Sequence, residues 1–134
     1  MNLLLDTHIL IWALNDDARL PKKAKEMILD PENAVYYSSI SIWEVSIKHM
    51  LHPENVTFSG EELSGYCQEA GYIQVEMRDR HVYALETLKR EKGAPDHSDP
   101  FDRILIAQAK TENLTFLTHD ALLPFYGEKC VALV

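Results

Sequence analysis

Three carboxylates in the 134-residue sequence stand just past short apolar runs, and a fourth stands before one. Asp6 follows the run Leu3–Leu5, and Glu44 comes about one helical turn after Ala34–Tyr37. Asp102 opens the apolar stretch ILIAQA, and Asp120 follows Leu114–Leu117 in the phrase FLTHD. If those runs are parallel strands, all four acids converge on one edge. Crowded carboxylates repel, each close pair by ~1 kcal/mol in water and ~4 kcal/mol at an effective dielectric of 20. A domain stabilised by only about 5–15 kcal/mol does not readily accumulate such a cluster. A divalent cation reverses the sign. Mg²⁺ takes oxygen ligands, one or two carboxylates with waters completing the octahedron. Cations held this way stabilise the attacking and leaving oxygens in phosphodiester hydrolysis.

Helix capping is the competing explanation. Ser41-x-x-Glu44 is a formal capping box, and for Glu44 taken singly the cap is the favoured reading. In Asp99-Pro-Phe-Asp102, Asp99 is the cap, Pro100 starts the helix, and Asp102 lies in the first turn, where the helix dipole favours an acid. Ser59-x-x-Glu62 repeats the pattern with no other hint of a site nearby, so the pattern alone is cheap. What caps leave unexplained is the shared edge.

The elements that must position these acids alternate between the two periods. Leu3–Leu5, Ala34–Tyr37, Tyr72–Val75 and Leu114–Leu117 read as strands, with Cys130–Val134 as an edge strand. Helices are predicted over His8–Leu14, Leu20–Leu29, Ser38–Leu51, Glu61–Ala70, Asp79–Arg90 and Pro100–Glu112, with a polar loop from Lys92 to Asp99. Such alternation implies a parallel α/β sheet covered on both faces, with ligands bound outside the carboxyl ends of its strands.

The bulk properties fit one domain over residues 1–134. Hydrophobic residues make up 46% and charged residues 25%, no stretch reaches the ~20 apolar residues a bilayer needs, and MNLLLD lacks a leader's basic flank, so a cytoplasmic protein without membrane contact is expected. Cys67 and Cys130 have neither metal-ligand nor disulfide spacing and read as small hydrophobes. A net charge of −8 argues against gripping nucleic acid by charge alone. It is compatible with bound cations, which invert the local field, and with a basic partner segment.

LLLDTHILIW, SISIWEVSIK, DPFDRILIAQA and FLTHD together resemble the PIN-domain nucleases, and within them the VapC-type ribonuclease toxins of toxin–antitoxin pairs. The resemblance covers nearly the whole chain in order and spacing. It implies a three-layer α/β/α domain with a mostly parallel central sheet of about five strands. Asp6, Glu44 and Asp102 would be the metal-site acids and Asp120 the more peripheral fourth. It further implies Mg²⁺ or Mn²⁺, endonucleolytic cleavage of RNA, a homodimer, and a cognate antitoxin whose tail covers the site. On this reading Asp99 caps and Asp102 uses the first turn to face the metal. A haloacid-dehalogenase-type phosphotransferase fits poorly, because the second aspartate it needs is replaced by His8. A catalytically idle PIN-like binding module, acting through protein contacts, is the alternative of a different class.

Other residues carry weaker signals. His8, His97 and His119 lie near the acids, but imidazole suits transition metals better than Mg²⁺ and no zinc signature is present. Structural or substrate-contact roles therefore rank ahead of ligation. The hydroxyls of Thr7, Ser41 and Thr118 either orient acids and waters or bond locally to backbone. Arg103 neutralises a neighbouring acid, touches a substrate phosphate, or points to solvent. RLPKKAK, Arg19 to Lys25, reads as a solvated helix face ahead of an RNA-steering patch. Trp12, Trp43, Ile42 and Ile47 read as core or dimer surface ahead of a base-stacking platform.

Overall fold

Side chains alternate along a strand, so the first strand already dictates a layered molecule. In β1 (Asn2–Leu5), Leu3 and Leu5 face one side of the sheet and Leu4 the other, and all three are fully buried. A strand buried on both faces needs cover on both. The computed structural model, which describes residues 1–134, supplies it. Leu3 and Leu5 pack under α1 (Thr7–Leu14), α2 (Lys22–Leu29), the body of α3 (Ser39–Leu51) and α4 (Gly60–Glu69), through Ile9, Leu10, Ala24, Val45 and Leu63. Leu4 and Phe116 pack under α6 (Pro100–Glu112), with Leu88, after α5 (Asp79–Leu85), and the 3-10 turn Leu123–Tyr126 beside them.

The sheet has five strands in the order β3-β2-β1-β4-β5, with β2 Ala34–Ser38, β3 Ile73–Val75, β4 Thr115–Thr118 and β5 Val131–Leu133. Every pairing is parallel, as the α/β expectation requires, and β3 and β5 are the edges. From β1 the chain builds outward first through β2 and β3, then on the other side through β4 and β5. That reversal opens a crevice at the carboxyl ends of β1 and β4. No helix is long and apolar enough to cross a membrane.

Most boundaries fall within one or two residues of the sequence expectation, and two departures have physical causes. The helix predicted over Asp79–Arg90 stops at Leu85: the Thr87 hydroxyl and N–H both turn back to the Ala84 carbonyl. Arg90 is then drawn away, donating to the carbonyls of Leu122 and Pro95. The second departure is the capping box at Ser41. The cap of α3 is Ser38, whose Oγ accepts the Ile40 N–H, so Ser41 and Glu44 lie inside the helix and are free for other partners. At α6 the expectation holds: Asp99 accepts the N–H groups of Phe101 and Asp102, with Pro100 as the first helical residue. Ser59 and Glu62 form a true capping box on α4.

A buried polar network ties the β2–α3 corner to α6 and α5. The Ser38 hydroxyl donates to Oε1 of Gln108, which is fully buried among the apolar residues of α6. The Gln108 amide faces Nδ1 of the equally buried His81 at 3.4 Å. Nδ1 accepts the Arg78 N–H, so the proton sits on Nε2, which donates to Glu112 at 2.7 Å. The bond from His81, helped by Arg80, holds the Glu112 carboxyl below its usual range. Gln108→Leu keeps the shape of the side chain but strands the Ser38 hydroxyl in the interior. It is expected to cost about 1–3 kcal/mol, read as a lower urea midpoint at unchanged slope.

Candidate metal centre

Three of the acids at the crevice, Asp6, Glu44 and Asp120, are held by a neighbour's hydroxyl or backbone. The Asp6 N–H donates to the Leu117 carbonyl at 3.0 Å, fixing the end of β1 against β4. Its Oδ1 accepts the Thr7 N–H at 2.7 Å, which makes Asp6 the cap of α1, and its Oδ2 accepts the Thr118 hydroxyl at 2.6 Å. Thr118 Oγ1 in turn accepts the Asp120 N–H at 3.0 Å. On the other side Thr7 donates its hydroxyl proton to Glu44 Oε1 at 2.8 Å, so Ser41 must be the donor in its 2.8 Å contact with Thr7. The hydroxyls of Thr7, Ser41 and Thr118 therefore orient the acids.

Asp102 projects from the first turn of α6 with Oδ2 3.1 Å from His97 Nε2. The other nitrogen of that ring lies 2.7 Å from the Tyr126 hydroxyl. The cleft, of about 410 Å³, is lined by all four acids singled out in the sequence together with Asp99. The only lysine or arginine lining it is Lys48, which pairs with the second oxygen of Glu44. Lys48 was missed in the sequence, although its position four residues after Glu44 was a readable signal. For Tyr126 the sequence carried no signal.

The electrostatics follow from five carboxylates facing one ammonium. Burial raises the Asp6 carboxyl above its ordinary range, against the lowering effect of the bonds from Thr118 and Thr7. Burial, reinforced by the charges of Asp6, Asp99, Asp120 and Glu44, pushes Asp102 up to about 8. Burial also holds His97 below the usual imidazole value. Arg103 forms no ion pair with a site acid, and its Nε is buried without an acceptor. No cationic side chain pairs with Asp102 to offset its burial. Clustered carboxylate oxygens with one nearby imidazole are the donor set of a hard divalent cation such as Mg²⁺ or Mn²⁺, and the residues present fit one. His97, Asp102 and Asp120 offer ligand atoms that all lie within 4.8 Å of one another.

The rim differs from the sequence reading. Trp12 is a cleft wall, half-buried, with the exposed His8 stacked on it at 5.7 Å, His119 edge-on at 6.1 Å and the Arg19 guanidinium 5.6 Å from its ring. His119 is fixed by the Val134 carbonyl. Trp43 lies outside the cleft, 55% exposed and edge-on to Phe101. Lys22, Lys23 and Lys25 are exposed on α2, the solvated face expected of them. Both cysteines are free, and burial pushes the Cys67 thiol up to about 12, which leaves it inert.

Residues 3–126 match the family profile described as "PIN domain". The fold recurs in solved structures of low sequence identity. VapBC2 from Rickettsia felis, bound to a DNA fragment from their promoter, gives a TM-score of 0.67 at 18% identity, over 100% of this chain and 98% of that one. FitAcB from Neisseria gonorrhoeae gives 0.62 at 20% identity, over 96% and 95%. A toxin–antitoxin complex from Klebsiella pneumoniae gives 0.60 at 22% identity, over 97% and 95%. Comparison with curated protein sequences finds no match.

The raised Asp102 has a consequence in metal-free protein. Its proton is held up to about 8 in the folded chain, against ~3.9 when unfolded. Between those values the folded state binds the extra proton, so the contribution of Asp102 to stability is full below that window and declines as pH rises through it. Thermal melts in EDTA are expected to show a midpoint that falls from pH 5 to pH 8. Asp102→Asn should flatten that slope and exceed the parent's midpoint at pH 8. Added Mn²⁺ should restore the parent and leave the variant nearly unmoved.

Proposed function

The chain belongs to the PIN-domain family, and from that premise we propose that it is a divalent-metal-dependent endoribonuclease, the toxin of a toxin–antitoxin pair. The observation that carries this reading is the convergence of Asp6, Glu44, Asp102 and Asp120 on one cleft with a single lysine. In the proposed site Asp6 and Asp102 are the principal metal ligands, with Glu44 and Asp120 beside them. A bound Mg²⁺ or Mn²⁺ would supply Lewis-acid stabilisation of the phosphoryl oxygens and lower the pKa of the attacking water.

The polypeptide's part is orientation and charge. Thr118 and the Thr7 N–H hold both oxygens of Asp6, so the carboxylate enters the reaction without reorganising. Thr7 fixes one oxygen of Glu44 and Lys48 neutralises the other. The cleft repels a polyanion until its acids are compensated, so entry of an RNA phosphate depends on the cations that the acids gather. Trp12 and His8 at the rim offer a flat face to an unstacked base, which suits single-stranded RNA.

The similarity to toxin–antitoxin complexes supports a cognate antitoxin as partner, whose basic residues the acidic cleft would receive. We further place the protein in the cytoplasm as a homodimer, a single PIN-like domain over residues 1–134.

Total RNA incubated with the purified, antitoxin-free chain is expected to yield discrete fragments with Mg²⁺ or Mn²⁺ and none with EDTA. Asp102→Asn should lose more than the roughly 10–100-fold that removal of a metal's outer-shell partner costs. Asp99→Asn should cut near the parent level, because asparagine caps a helix as well as aspartate. An absence of cleavage by folded protein that binds the metal would favour the idle binding module.

A further inference from the structure

We propose that His97 supplies a nitrogen ligand to the cation in this cleft and thereby tilts the centre towards Mn²⁺ over Mg²⁺. The inference rests on the metal-centre reading above and adds to it a donor of a different kind. His97 precedes the cap of α6 by two residues, and its side chain is 5% exposed. The ring enters the acid cluster edge first. Nε2 faces Asp102 Oδ2 at 3.1 Å, and one ring nitrogen of His97 and carboxylate oxygens of Asp102 and Asp120 lie within 4.8 Å of one another. Ligand bonds of about 2.1 Å place adjacent octahedral donors ~3.0 Å apart and opposite donors ~4.2 Å apart. The His97–Asp102 spacing is thus that of adjacent ligands, and the three donors lie close enough to converge on one ion once the side chains adjust.

The opposite side of the ring is built as a ligating histidine requires. Nδ1 meets the Tyr126 hydroxyl at 2.7 Å, and the two rings stand at 87°. A hydroxyl both donates and accepts, so Tyr126 serves either tautomer. When Nδ1–H donates to it, the Nε2 lone pair is free to point into the cluster, the outer-shell arrangement that fixes a metal-bound imidazole. Tyr126 is itself 5% exposed and lies under the Arg90 guanidinium at 4.6 Å. Arg90 is anchored by the carbonyls of Leu122 and Pro95. A ring braced this way has little freedom to leave the cluster. The chemistry then selects the ion. An imidazole nitrogen favours first-row transition ions over Mg²⁺, and Mn²⁺ is the one that shares the carboxylate preference of the other donors.

The test is pulsed electron paramagnetic resonance of Mn²⁺ added to the purified full chain without RNA. Nitrogen modulation of the Mn²⁺ signal is expected in the parent, and it should change to the ¹⁵N pattern when the histidines are ¹⁵N-labelled. His97→Asn should abolish it and weaken Mn²⁺ binding on the order of tenfold, with Mg²⁺ affinity nearly unchanged. His8→Asn and His119→Asn should retain it. If His97→Asn fails to fold, persistence of the signal in the His8→Asn/His119→Asn double variant still assigns it. Mn²⁺ bound without nitrogen modulation, or modulation that disappears with His8 or His119, overturns the role of His97 and leaves the metal centre standing. Failure of the parent to bind Mn²⁺ at all overturns both.

Discussion

The hydroxyl of Thr118 donates to Asp6 across the seam between β1 and β4, and the site is hung from that seam. The same two strands exchange the Asp6 N–H for the Leu117 carbonyl, and the same hydroxyl accepts the Asp120 N–H. One threonine at the end of β4 therefore sets the position of two acids that lie more than a hundred residues apart in sequence. The seam exists because the chain lays β2 and β3 on one side of β1 and β4 and β5 on the other. Had the strands been added in one direction only, the loops after β1 and β4 would not leave a crevice between them.

Holding five acids in that crevice opposes folding, and the opposing stabilisation lies directly behind it. The residues of α6 from Ile104 to Ala109 are buried against the sheet, while Asp102, two residues earlier, reaches the cleft. Burial of each large aliphatic side chain contributes roughly 1.5–3 kcal/mol. One helix thus carries both the electrostatic cost and the apolar anchor that sustains it. Asp99 completes the arrangement by capping, which fixes where the first turn begins and so where Asp102 points.

How far the sequence revealed this depended on whether a contact was local. The strands, the parallel sheet and the acids at strand ends were legible because period and order encode them. The capping box read at Ser41 and Glu44 failed because the run from Ser38 to Ser41 offers several caps to a local pattern, and the partner of Glu44, Thr7, comes from another element. The early end of α5 was hidden for the same reason, since the groups that draw Arg90 away follow the helix by many residues. His97 ranked low because no metal-ligand spacing marks it. Its proximity to Asp102 comes from the path of the loop before α6, and to Asp120 from the turn after β4. Trp12 read as core or dimer surface because an aromatic on an apolar helix usually is one of these, and only the opening of the crevice beside α1 makes it a cleft wall.

The choice of hydroxyls over basic side chains to hold the acids has a chemical logic. An arginine on each carboxylate would orient it more strongly, but its fork takes both oxygens. A threonine takes one lone pair of about four. Along the cleft the occupancy grades. Glu44 has one oxygen on Thr7 and the other on Lys48, and Asp6 has one bond on each oxygen from uncharged donors. Asp102 has only the imidazole of His97. The least compensated carboxylate is the one pushed up to about 8, and the best compensated is the one beside the lysine. A cation entering the cleft therefore meets its greatest gain at Asp102 and Asp6, where oxygen lone pairs are both oriented and unoccupied. The polypeptide leaves the charge of its own cleft unbalanced in the one place where an added cation can balance it.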